Sequence, residues 1–373
     1  MVQEANKKKL VFIGAGAIGR GFLPWLFDEK VYDLVFVDND QSIIDAMRNS
    51  KAYSTFRIKN NVYEERVISV HSAFTPEEFS IKKQSNVAAC FLSVGPRNVA
   101  KAATLMTGSN VPLILCENEP NCVNTAKTVV GHDHVYFAVP DVITSNTAPQ
   151  NLLESNPLSI VTEDGELFIQ EGATELNGDF KFLSDKEIRN TQWIPKLYLH
   201  NTPHCITAYL GALVGAKYVH EAMEITKVNE IVEGAMFEML EALKKGWDIP
   251  HDFLDWYAEK ELARFRNKLL CDPITRVARE PMRKLGLEGR LIGAAQICLS
   301  YGIMPKNLIL GITGALLFED QKDPDRHLAF LRDTMPKETF NTYILGLRDG
   351  EPLDLILRDN IDEMTEMLLC FQK

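Results

Sequence analysis

The sequence lacks a long apolar run. No stretch approaches the roughly 20 apolar residues that a membrane-spanning helix needs. The first residues, Met-Val-Gln-Glu-Ala-Asn-Lys-Lys-Lys, lead straight into a strand-like segment without the apolar core of a secretory signal. We therefore expect no membrane partner and a cytoplasmic location.

An excess of positive charge is also missing. The 373 residues include 40 basic and 51 acidic side chains, for a formal net charge of -11. Such a surface repels nucleic acid, so we expect a small-molecule substrate and no nucleic-acid partner. An anionic substrate would need a local basic pocket.

Closely paired cysteines are absent as well. The seven cysteines stand at scattered spacings with no CxxC pair, which predicts neither a disulfide framework nor a zinc site. His132 and His134 flank Asp133 in a polar connection without a third ligand nearby, so we interpret them as loop residues. We predict reduced, mostly buried thiols and no bound metal.

The first third of the chain alternates short β-branched runs with amphipathic segments, a pattern typical of a doubly wound parallel sheet. Asn60-Asn61 and Asp164-Gly165 mark two inserted hairpins, Tyr53 to Val70 and Leu158 to Gln170. The predicted sheet strands are Leu10–Ile13, Leu34–Val37, Val87–Val94, Leu113–Cys116 and Val135–Val139.

Helical periodicity replaces this alternation from about Trp193 onward. Ala222–Lys245 and His251–Leu270 have the length and apolar spacing of packed helices, and Leu353–Phe371 indicates one or two docked helices. We predict an α/β protein in which a Rossmann-type domain, residues 1–190, precedes a mostly α-helical substrate domain, residues 191–373.

The glycine motif GAGAIG, at 14–19, follows the first predicted strand and opens a helix. Asp38 ends the next strand, nineteen residues after the last glycine, which completes the context of a dinucleotide fingerprint. Asp38 would bind the ribose hydroxyls and repel a 2′-phosphate, so NAD is favoured over NADP; a helix cap is its alternative role. The predicted cofactor contacts are Gly14, Gly16, Ala17, Ile18, Gly19, Asp38, Val94 and Asn118.

Ligands in such sheets collect beyond the carboxyl ends of the strands, where Val94, Asn118 and Asp141 fall. The Asn118 amide is suited to donating to a substrate oxygen, but capping a helix near Pro120 is an equally good interpretation. The sequence favours neither role over the other.

The segment Lys196-Leu-Tyr-Leu-His-Asn-Thr-Pro-His204 groups a base, an amide and an imidazole. In an α-helix, His204 would lie about 80° and Asn201 about 140° around the axis from Lys196, on one wall of a cleft. A lysine can accept a hydroxyl proton, an asparagine can donate to an alkoxide and a histidine can orient a substrate. Alternatively the three residues form a solvated edge, and Pro203 predicts a kink or restart beside Asn201.

A basic cluster follows, in which Arg279 and Lys284 are our candidates for binding an anionic substrate group. The alternative is a surface face of ion pairs with Glu280 and Glu288. The cluster consists of Arg276, Arg279, Arg283, Lys284 and Arg290.

With these residues in order, the chain resembles the polyol-specific long-chain dehydrogenases, most closely the branch acting on mannitol 1-phosphate. The resemblance is carried by GAGAIGRGF, SVGP, CEN, KLYLHNTPHCITAYLG, RVAREPMRKL and KNLILGI, in the family's order. It implies that Lys196 is the general base, that Asn118 and Asn201 form the oxyanion hole, and that His204 orients the substrate.

Two positions depart from the family pattern. Asp141 is followed by Val-Ile-Thr-Ser, without the usual arginine and proline, and Trp193 and Ile194 replace a glutamate before the catalytic lysine. The resemblance implies a metal-independent, NAD-dependent oxidation of mannitol 1-phosphate to fructose 6-phosphate by a monomer or small homo-oligomer. The alternatives are a dehydrogenase of an unphosphorylated polyol or hexuronate, and a non-catalytic NAD-binding sensor.

Overall fold

The computed structural model describes residues 7–117, 119–146, 149–154, 156–173, 176–287 and 289–372. The chain divides into two compact units, residues 1–193 and 194–373. Each unit contains its own buried apolar side chains.

The first unit contains an eight-stranded sheet in the order β12-β11-β8-β7-β6-β1-β2-β5 and a four-stranded sheet in the order β4-β3-β10-β9. Pairing from β5 through to β8 is parallel, as predicted. The strands are β1 (Lys8–Ile13), β2 (Tyr32–Val37), β3 (Ala52–Lys59), β4 (Val62–Ser69), β5 (Ser72–Phe74), β6 (Val87–Leu92), β7 (Leu113–Leu115), β8 (Val135–Asp141), β9 (Thr144–Ser145), β10 (Val161–Glu163), β11 (Glu166–Gln170) and β12 (Lys181–Leu183).

The central strand β1 is apolar on both faces because both faces are covered. Leu10 and Phe12 belong to one buried cluster with Ile44 of helix α1. Val11 and Ile13 belong to another, with residues of α2 and α3. A strand buried on both sides needs a continuous apolar run, which explains its sequence. The helices of this unit are α1 (Gln41–Ser50), α2 (Val99–Ala103), α3 (Cys122–Val130), α4 (Gln150–Leu153) and α5 (Asp185–Glu187).

The strand order reverses between β1 and β6, so the turns after these two strands meet. The Ser93 amide donates to the Ile13 carbonyl at 2.9 Å, and the Ser93 hydroxyl donates to the Gly14 carbonyl at 3.1 Å. Ligands of doubly wound sheets bind at such a reversal. The architecture therefore places GAGAIG and Ser93-Val94 at the predicted ligand-binding edge.

The hairpin predicted around Asn60-Asn61 is confirmed. β3 and β4 pair antiparallel, and both asparagines have positive φ, 51° and 59°, as a two-residue hairpin turn requires.

The second predicted hairpin is wrong. β10 pairs with β3 and β9, whereas β11 pairs with β8 and β12, so the two strands belong to different sheets. At Gly165 a β-carbon would lie 2.6 Å from the Asp141 carbonyl oxygen. The glycine thus allows a close passage between sheets, a constraint that turn chemistry alone does not reveal.

The helical segment after GAGAIG is confirmed, but it is not an α-helix. Ala17–Phe22 is a π-helix and Leu23–Leu26 continues as a 3-10 helix. Other short helices are the 3-10 turns Ile81–Lys83, Pro96–Asn98, Thr104–Met106, Lys268–Leu270 and Cys370–Gln372, and the π-helices Ile188–Trp193 and Lys196–Asn201.

The second unit is helical, and its described residues contain no strand, only an isolated bridge between Tyr218 and Pro273. The predicted helices within Ala222–Lys245, His251–Leu270 and Leu353–Phe371 are confirmed. The α-helices are α6 (Thr202–Leu213), α7 (Val219–Met223), α8 (Thr226–Gly246), α9 (His251–Phe265), α10 (Ile274–Ala278), α11 (Pro281–Leu285), α12 (Ile292–Ser300), α13 (Lys306–Leu317), α14 (Leu328–Thr334), α15 (Lys337–Tyr343) and α16 (Pro352–Leu369).

Helix α6 occupies the centre of this unit and packs on α8, α10 and α13. All its residues from Thr202 to Gly211 are buried. Gly311 of α13 permits the close approach, because a β-carbon there would lie 2.5 Å from the Ile206 side chain. The polar side chains at the start of α6 are therefore held in a rigid interior.

The cysteines agree with the prediction of free, mostly buried thiols. Cys90, Cys116, Cys122, Cys205 and Cys298 are buried, Cys271 is half-buried and Cys370 is exposed.

Candidate active site

The glycine turn requires glycine at two positions and leaves open space at a third. Gly14 has a φ of +93°, and a β-carbon there would meet the Ser93 carbonyl oxygen at 2.3 Å. A β-carbon at Gly19 would lie 1.9 Å from the Gly14 carbonyl oxygen, so this glycine lets the helix pack on the turn. At Gly16 a β-carbon would meet nothing within 4 Å. The middle glycine thus faces open space, where backbone can approach a ligand.

Asp38 lies directly after β2 and contacts this turn. Its Oδ2 accepts a hydrogen bond from the Ala15 amide at 2.6 Å, and its Oδ1 accepts from the Asp40 amide at 2.9 Å. Asp40, not Asp38, caps helix α1, accepting from the amides of Ser42 and Ile43. Helix capping, the alternative role predicted for Asp38, is therefore performed by Asp40.

Arg20 is a buried contributor that the sequence analysis missed. Its guanidinium donates to the Ala15 carbonyl and, at 2.9 Å, to the Leu158 carbonyl. Burial lowers the pKa of Arg20, and the nearby charge of Asp38 is among the effects that partly offset this lowering. The residue ties the glycine turn to the segment before β10. An arginine one residue after GxGxxG was the available signal, but its burial depended on distant residues.

Glu117 follows strand β7 and binds the backbone that follows strand β6, so these two strand ends meet as predicted. Its Oε1 accepts hydrogen bonds from the amides of Val94 at 2.7 Å and Gly95 at 3.0 Å. Burial raises the pKa of Glu117 to about 7, although both amides favour the charged form. Asn118, the predicted oxyanion donor, lies outside the described residues.

Asp141 is the last residue of β8 and is buried. It pairs with Glu166 of β11 in the antiparallel register. After it, the Ile143 amide donates to Glu163 Oε1 at 2.6 Å. These contacts fix the backbone just after Asp141, the segment that lacks the arginine and the proline usual in the family.

The helix that carries Lys196 is π-helical, and this changes the predicted angles. Hydrogen bonds in a π-helix run from residue i to i+5, so Asn201 lies about one turn above Lys196, not 140° around an α-helix. Thr202 continues this pattern by donating its amide to the Leu197 carbonyl. Both Lys196 and Asn201 are buried. The alternative interpretation of Lys196, Asn201 and His204 as a solvated edge is therefore wrong, because His204 is buried as well.

The restart predicted beside Asn201 is confirmed, because the π-helix ends at Asn201 and α6 begins at Thr202 with Pro203 in its first turn. The Thr202 backbone is helical, with φ −66° and ψ −61°, and α6 follows directly. A proline cannot donate to the fourth residue before it and normally clashes with that carbonyl. The Thr202 hydroxyl lies 3.1 Å from the Leu197 carbonyl oxygen and donates to the Arg290 carbonyl at 2.7 Å. The π-turn thereby accommodates the proline and keeps Asn201 in helical geometry.

His204 contacts a carboxylate that the sequence analysis did not identify. Its Nε2 lies 2.9 Å from Oδ2 of Asp272, and both residues are buried. The contact is bent away from hydrogen-bond geometry, and neither atom has another hydrogen-bond partner. Asp272 Oδ1 accepts from Arg276 Nε at 3.0 Å. The four-residue spacing of Asp272 and Arg276 was a visible signal, but it did not reveal the histidine.

Burial and charge act against each other at this pair. Burial alone would raise the pKa of Asp272, but Arg276 and His204 outweigh it and hold that pKa at about 2. Burial lowers the pKa of His204, and the contact with Asp272 only partly offsets this. We therefore assign an ionised carboxylate facing a neutral imidazole near neutral pH.

The basic cluster is split by the fold. Arg276 binds Asp272, and Arg283 binds Glu280 at 3.0 Å. Lys284 is buried, donates to the carbonyls of Val277 and Arg279, and has its pKa lowered to about 7 by burial. The Arg279 side chain is exposed. The two predicted phosphate contacts thus differ in their surroundings. Arg279 is exposed to solvent, whereas Lys284 of helix α11 points into the interior.

The residues that the structure describes show neither a cluster of metal ligands nor a membrane-spanning helix. There, no three His, Cys, Asp or Glu side chains gather as metal ligands would. Across the same residues, no helix combines the length and apolarity needed to cross a bilayer.

Two family models match this chain. Residues 8–135 match the mannitol dehydrogenase Rossmann domain, and residues 193–346 match the mannitol dehydrogenase C-terminal domain. Similar curated proteins include mannitol-1-phosphate 5-dehydrogenases from Thermoanaerobacter pseudethanolicus and Caldanaerobacter subterraneus subsp. tengcongensis. The first is 31% identical over 85% of this chain and 87% of that protein, and the second is 30% identical over 84% and 87%.

Solved structures share the fold. Pseudomonas fluorescens mannitol 2-dehydrogenase, in a ternary complex with NAD and D-mannitol, superposes with a TM-score of 0.72 at 15% identity, covering 98% of this chain and 91% of that one. A D-sorbitol dehydrogenase in substrate-free form gives a TM-score of 0.68 at 14% identity, covering 97% and 95%. With the family models and the curated relatives, these findings show that the chain belongs to the mannitol dehydrogenase family of polyol dehydrogenases.

Proposed function

We propose that this protein is an NAD-dependent dehydrogenase that interconverts mannitol 1-phosphate and fructose 6-phosphate. The observation that carries the proposal is the π-helical turn that buries Lys196 and Asn201 one turn apart, just before His204. A buried lysine and a buried amide one helical turn apart are suited to alcohol oxidation. The names of the curated relatives support the choice of substrate.

In the proposed mechanism, the neutral amine of Lys196 takes the proton of the reacting hydroxyl. The Asn201 amide donates to the oxygen as it gains negative charge, and His204 orients the substrate by hydrogen bonding. Asn118 is proposed as a second donor to that oxygen. NAD, when bound, supplies the acceptor for the hydride that leaves the carbinol carbon. Because Lys196 and Asn201 handle the proton and the charge, the mechanism needs no metal.

The first unit provides residues that fit NAD. The open space at Gly16 and the turn at Gly14 suit a pyrophosphate, with Ala17, Ile18 and Gly19 starting the helix behind them. The Asp38 carboxylate already faces this turn, where it would accept from ribose hydroxyls. Asn39, Asp40 and Gln41 supply no cation to balance a 2′-phosphate. We therefore propose NAD over NADP.

For the substrate, we propose that Asp141 binds polyol hydroxyls and that Arg279 and Lys284 serve the phosphate. The Lys284 amine already donates to two backbone carbonyls and not to a phosphate. This contact favours a second candidate function, a dehydrogenase of an unphosphorylated polyol or hexuronate. A non-catalytic NAD-binding sensor is the weaker alternative, since such a protein needs no buried Lys196 or Asn201. We propose a monomer or small homo-oligomer.

A substrate panel tests this function. The purified protein is given hexitols, hexitol phosphates and uronates with NAD, or the ketoses with NADH, and NADH absorbance is followed. We expect kcat/KM to be highest for the mannitol 1-phosphate and fructose 6-phosphate pair. A preference for a free polyol or hexuronate would support the second candidate, and NAD binding without turnover of any substrate would support the sensor.

A further inference from the structure

We infer that Asp272 is a positioning residue that holds His204 in the tautomer with its proton on Nε2, leaving Nδ1 as an acceptor for a substrate hydroxyl. This inference deepens the proposed function and rests on it for the role of His204. None of the sequence motifs pointed to Asp272, which lies 68 positions after the histidine.

The first support is the fixed position of the carboxylate. The Asp272 backbone carbonyl accepts from the Val219 amide at 3.0 Å, and the Ile274 amide donates to the Lys217 carbonyl at 2.9 Å. Arg276 holds the second carboxylate oxygen. Oδ2 is therefore anchored from the backbone and from the side chain, at 2.9 Å from His204 Nε2.

The second support is the fixed plane of the imidazole. The His204 ring stacks on Phe265, with centroids 5.1 Å apart and planes 5° apart. The centroid of the His200 ring lies 4.9 Å from that of His204, with the two planes tilted by 51°. These contacts limit rotation, so Nε2 stays toward Asp272.

The tautomer follows from donor and acceptor chemistry. An ionised carboxylate only accepts hydrogen bonds, and a neutral imidazole has one donor and one acceptor nitrogen. At 2.9 Å from the carboxylate, a lone pair on Nε2 would face negative charge, so the proton is favoured on Nε2 and the lone pair on Nδ1. Such a nitrogen accepts a hydroxyl proton in a hydrogen bond but cannot donate to an alkoxide. This separates the orienting role of His204 from the donor role of Asn201.

Two arginines near His204 lower the pKa of its imidazole, as burial does. Arg276 and Arg290 both disfavour a positive charge on the ring. The neighbouring His200 is itself engaged by Glu261. Asp272 is thus the anion in contact with His204, and we expect the imidazole to stay neutral over the working pH range.

The test measures the tautomer directly. Protein labelled with ¹⁵N-histidine is studied by long-range ¹H–¹⁵N correlation NMR of the imidazoles, and His204→Gln identifies the signal by its loss. We expect Nε2–H in the wild-type protein near neutral pH. An Nδ1–H tautomer or an imidazolium there would overturn the inference, and no variant is needed for that outcome.

Variants add the functional link. Asp272→Asn can donate to Nε2, so we expect the proton to move to Nδ1 and kcat to fall by about tenfold or more, as for one lost transition-state hydrogen bond. Asp272→Glu keeps the charge and should retain the tautomer, even if it shifts KM. NAD affinity should be unchanged in both. Unaltered tautomer and kcat in folded Asp272→Asn would also overturn the inference.

This design separates the two proposals. The NMR measurement needs no substrate, so a protein inactive on every polyol would reject the proposed function and leave the tautomer result standing. An active polyol phosphate dehydrogenase with Nδ1–H on His204 would reject only the positioning role of Asp272.

Discussion

His200 Nδ1 lies 2.5 Å from Glu261 Oε2, and both side chains are buried. The other oxygen of Glu261 accepts from Arg264 Nη1 at 2.6 Å. His200 stands in the π-helical turn between Lys196 and Asn201. The contact therefore links the proposed catalytic turn to helix α9, through a carboxyl group that is 0% exposed.

Glu261→Ala should destabilise the protein by roughly 3–5 kcal/mol, since removing one member of a buried ionic network leaves its partners uncompensated. The free energy of unfolding, from urea titration followed by circular dichroism, measures this. Glu259→Ala on the exposed side of the same helix is the matched control and should change stability by less than about 0.5 kcal/mol. Equal effects in the two variants would show that the network adds nothing.

Lys196→Ala should lower kcat by roughly a hundredfold to ten-thousandfold, the usual contribution of a positioned proton acceptor, with NAD affinity nearly unchanged. A small primary amine should restore part of the rate. Asn201→Ala should also lower kcat, but amine should not rescue it, because a donor and not a base is missing. The exposed Lys306 provides a control, Lys306→Ala, expected to behave as wild type.

Near wild-type turnover in Lys196→Ala, together with no inhibition by a chelator, would end the lysine-base mechanism. Joint loss of folding and NAD binding in this variant would instead assign Lys196 a structural role.

NAD should bind much more tightly than NADP, because a 2′-phosphate beside the Asp38 carboxylate meets a like charge, a repulsion of roughly several kcal/mol. Fluorescence titration of both cofactors measures the difference. Asp38→Asn retains an acceptor for the Ala15 amide and removes the charge, so it should narrow the gap. Equal affinity of the wild-type protein for both cofactors would refute the ribose assignment.

Arg279→Ala should raise KM for a sugar phosphate far more than KM for the matching free polyol, since only the phosphate has a charge to lose. The ratio of the two changes is the measurement. Lys284→Ala should also lower the melting temperature, because its ammonium holds the carbonyls of Val277 and Arg279. Equal KM changes on both substrates for Arg279→Ala would assign the cluster to structure.

Glu117 should make stability depend on pH. Its pKa is about 7 in the fold, above the ordinary 4.5, so the native state binds more protons than the unfolded state between these values. Stability contributed by this group is therefore full below about 4.5 and is lost as pH rises through about 7, by up to about 3 kcal/mol. The melting temperature of wild type minus that of Glu117→Gln should fall over this window. A constant difference would contradict the raised pKa.

Much of the framework was predictable because it depends on neighbours in sequence. The run Leu10–Ile13, the glycines after it and Asp38 predicted the strand-turn-helix-strand unit, and Asn60-Asn61 predicted a hairpin. Long apolar periodicity predicted the helices of the second unit. These signals are local, since side-chain spacing and turn chemistry act over a few residues.

The amino-acid sequence by itself determined which chemical groups are available and where helices and strands form: a lysine, an amide and an imidazole within nine residues, after a dinucleotide-type turn. Tertiary structure alone decided that Lys196 and Asn201 are buried one turn apart in a π-helix, that His204 faces Asp272 and that Lys284 points inward. It also placed β10 and β11 in different sheets. The reason is physical: burial, and contacts between residues far apart in sequence, depend on how packed elements exclude water, which no local pattern encodes.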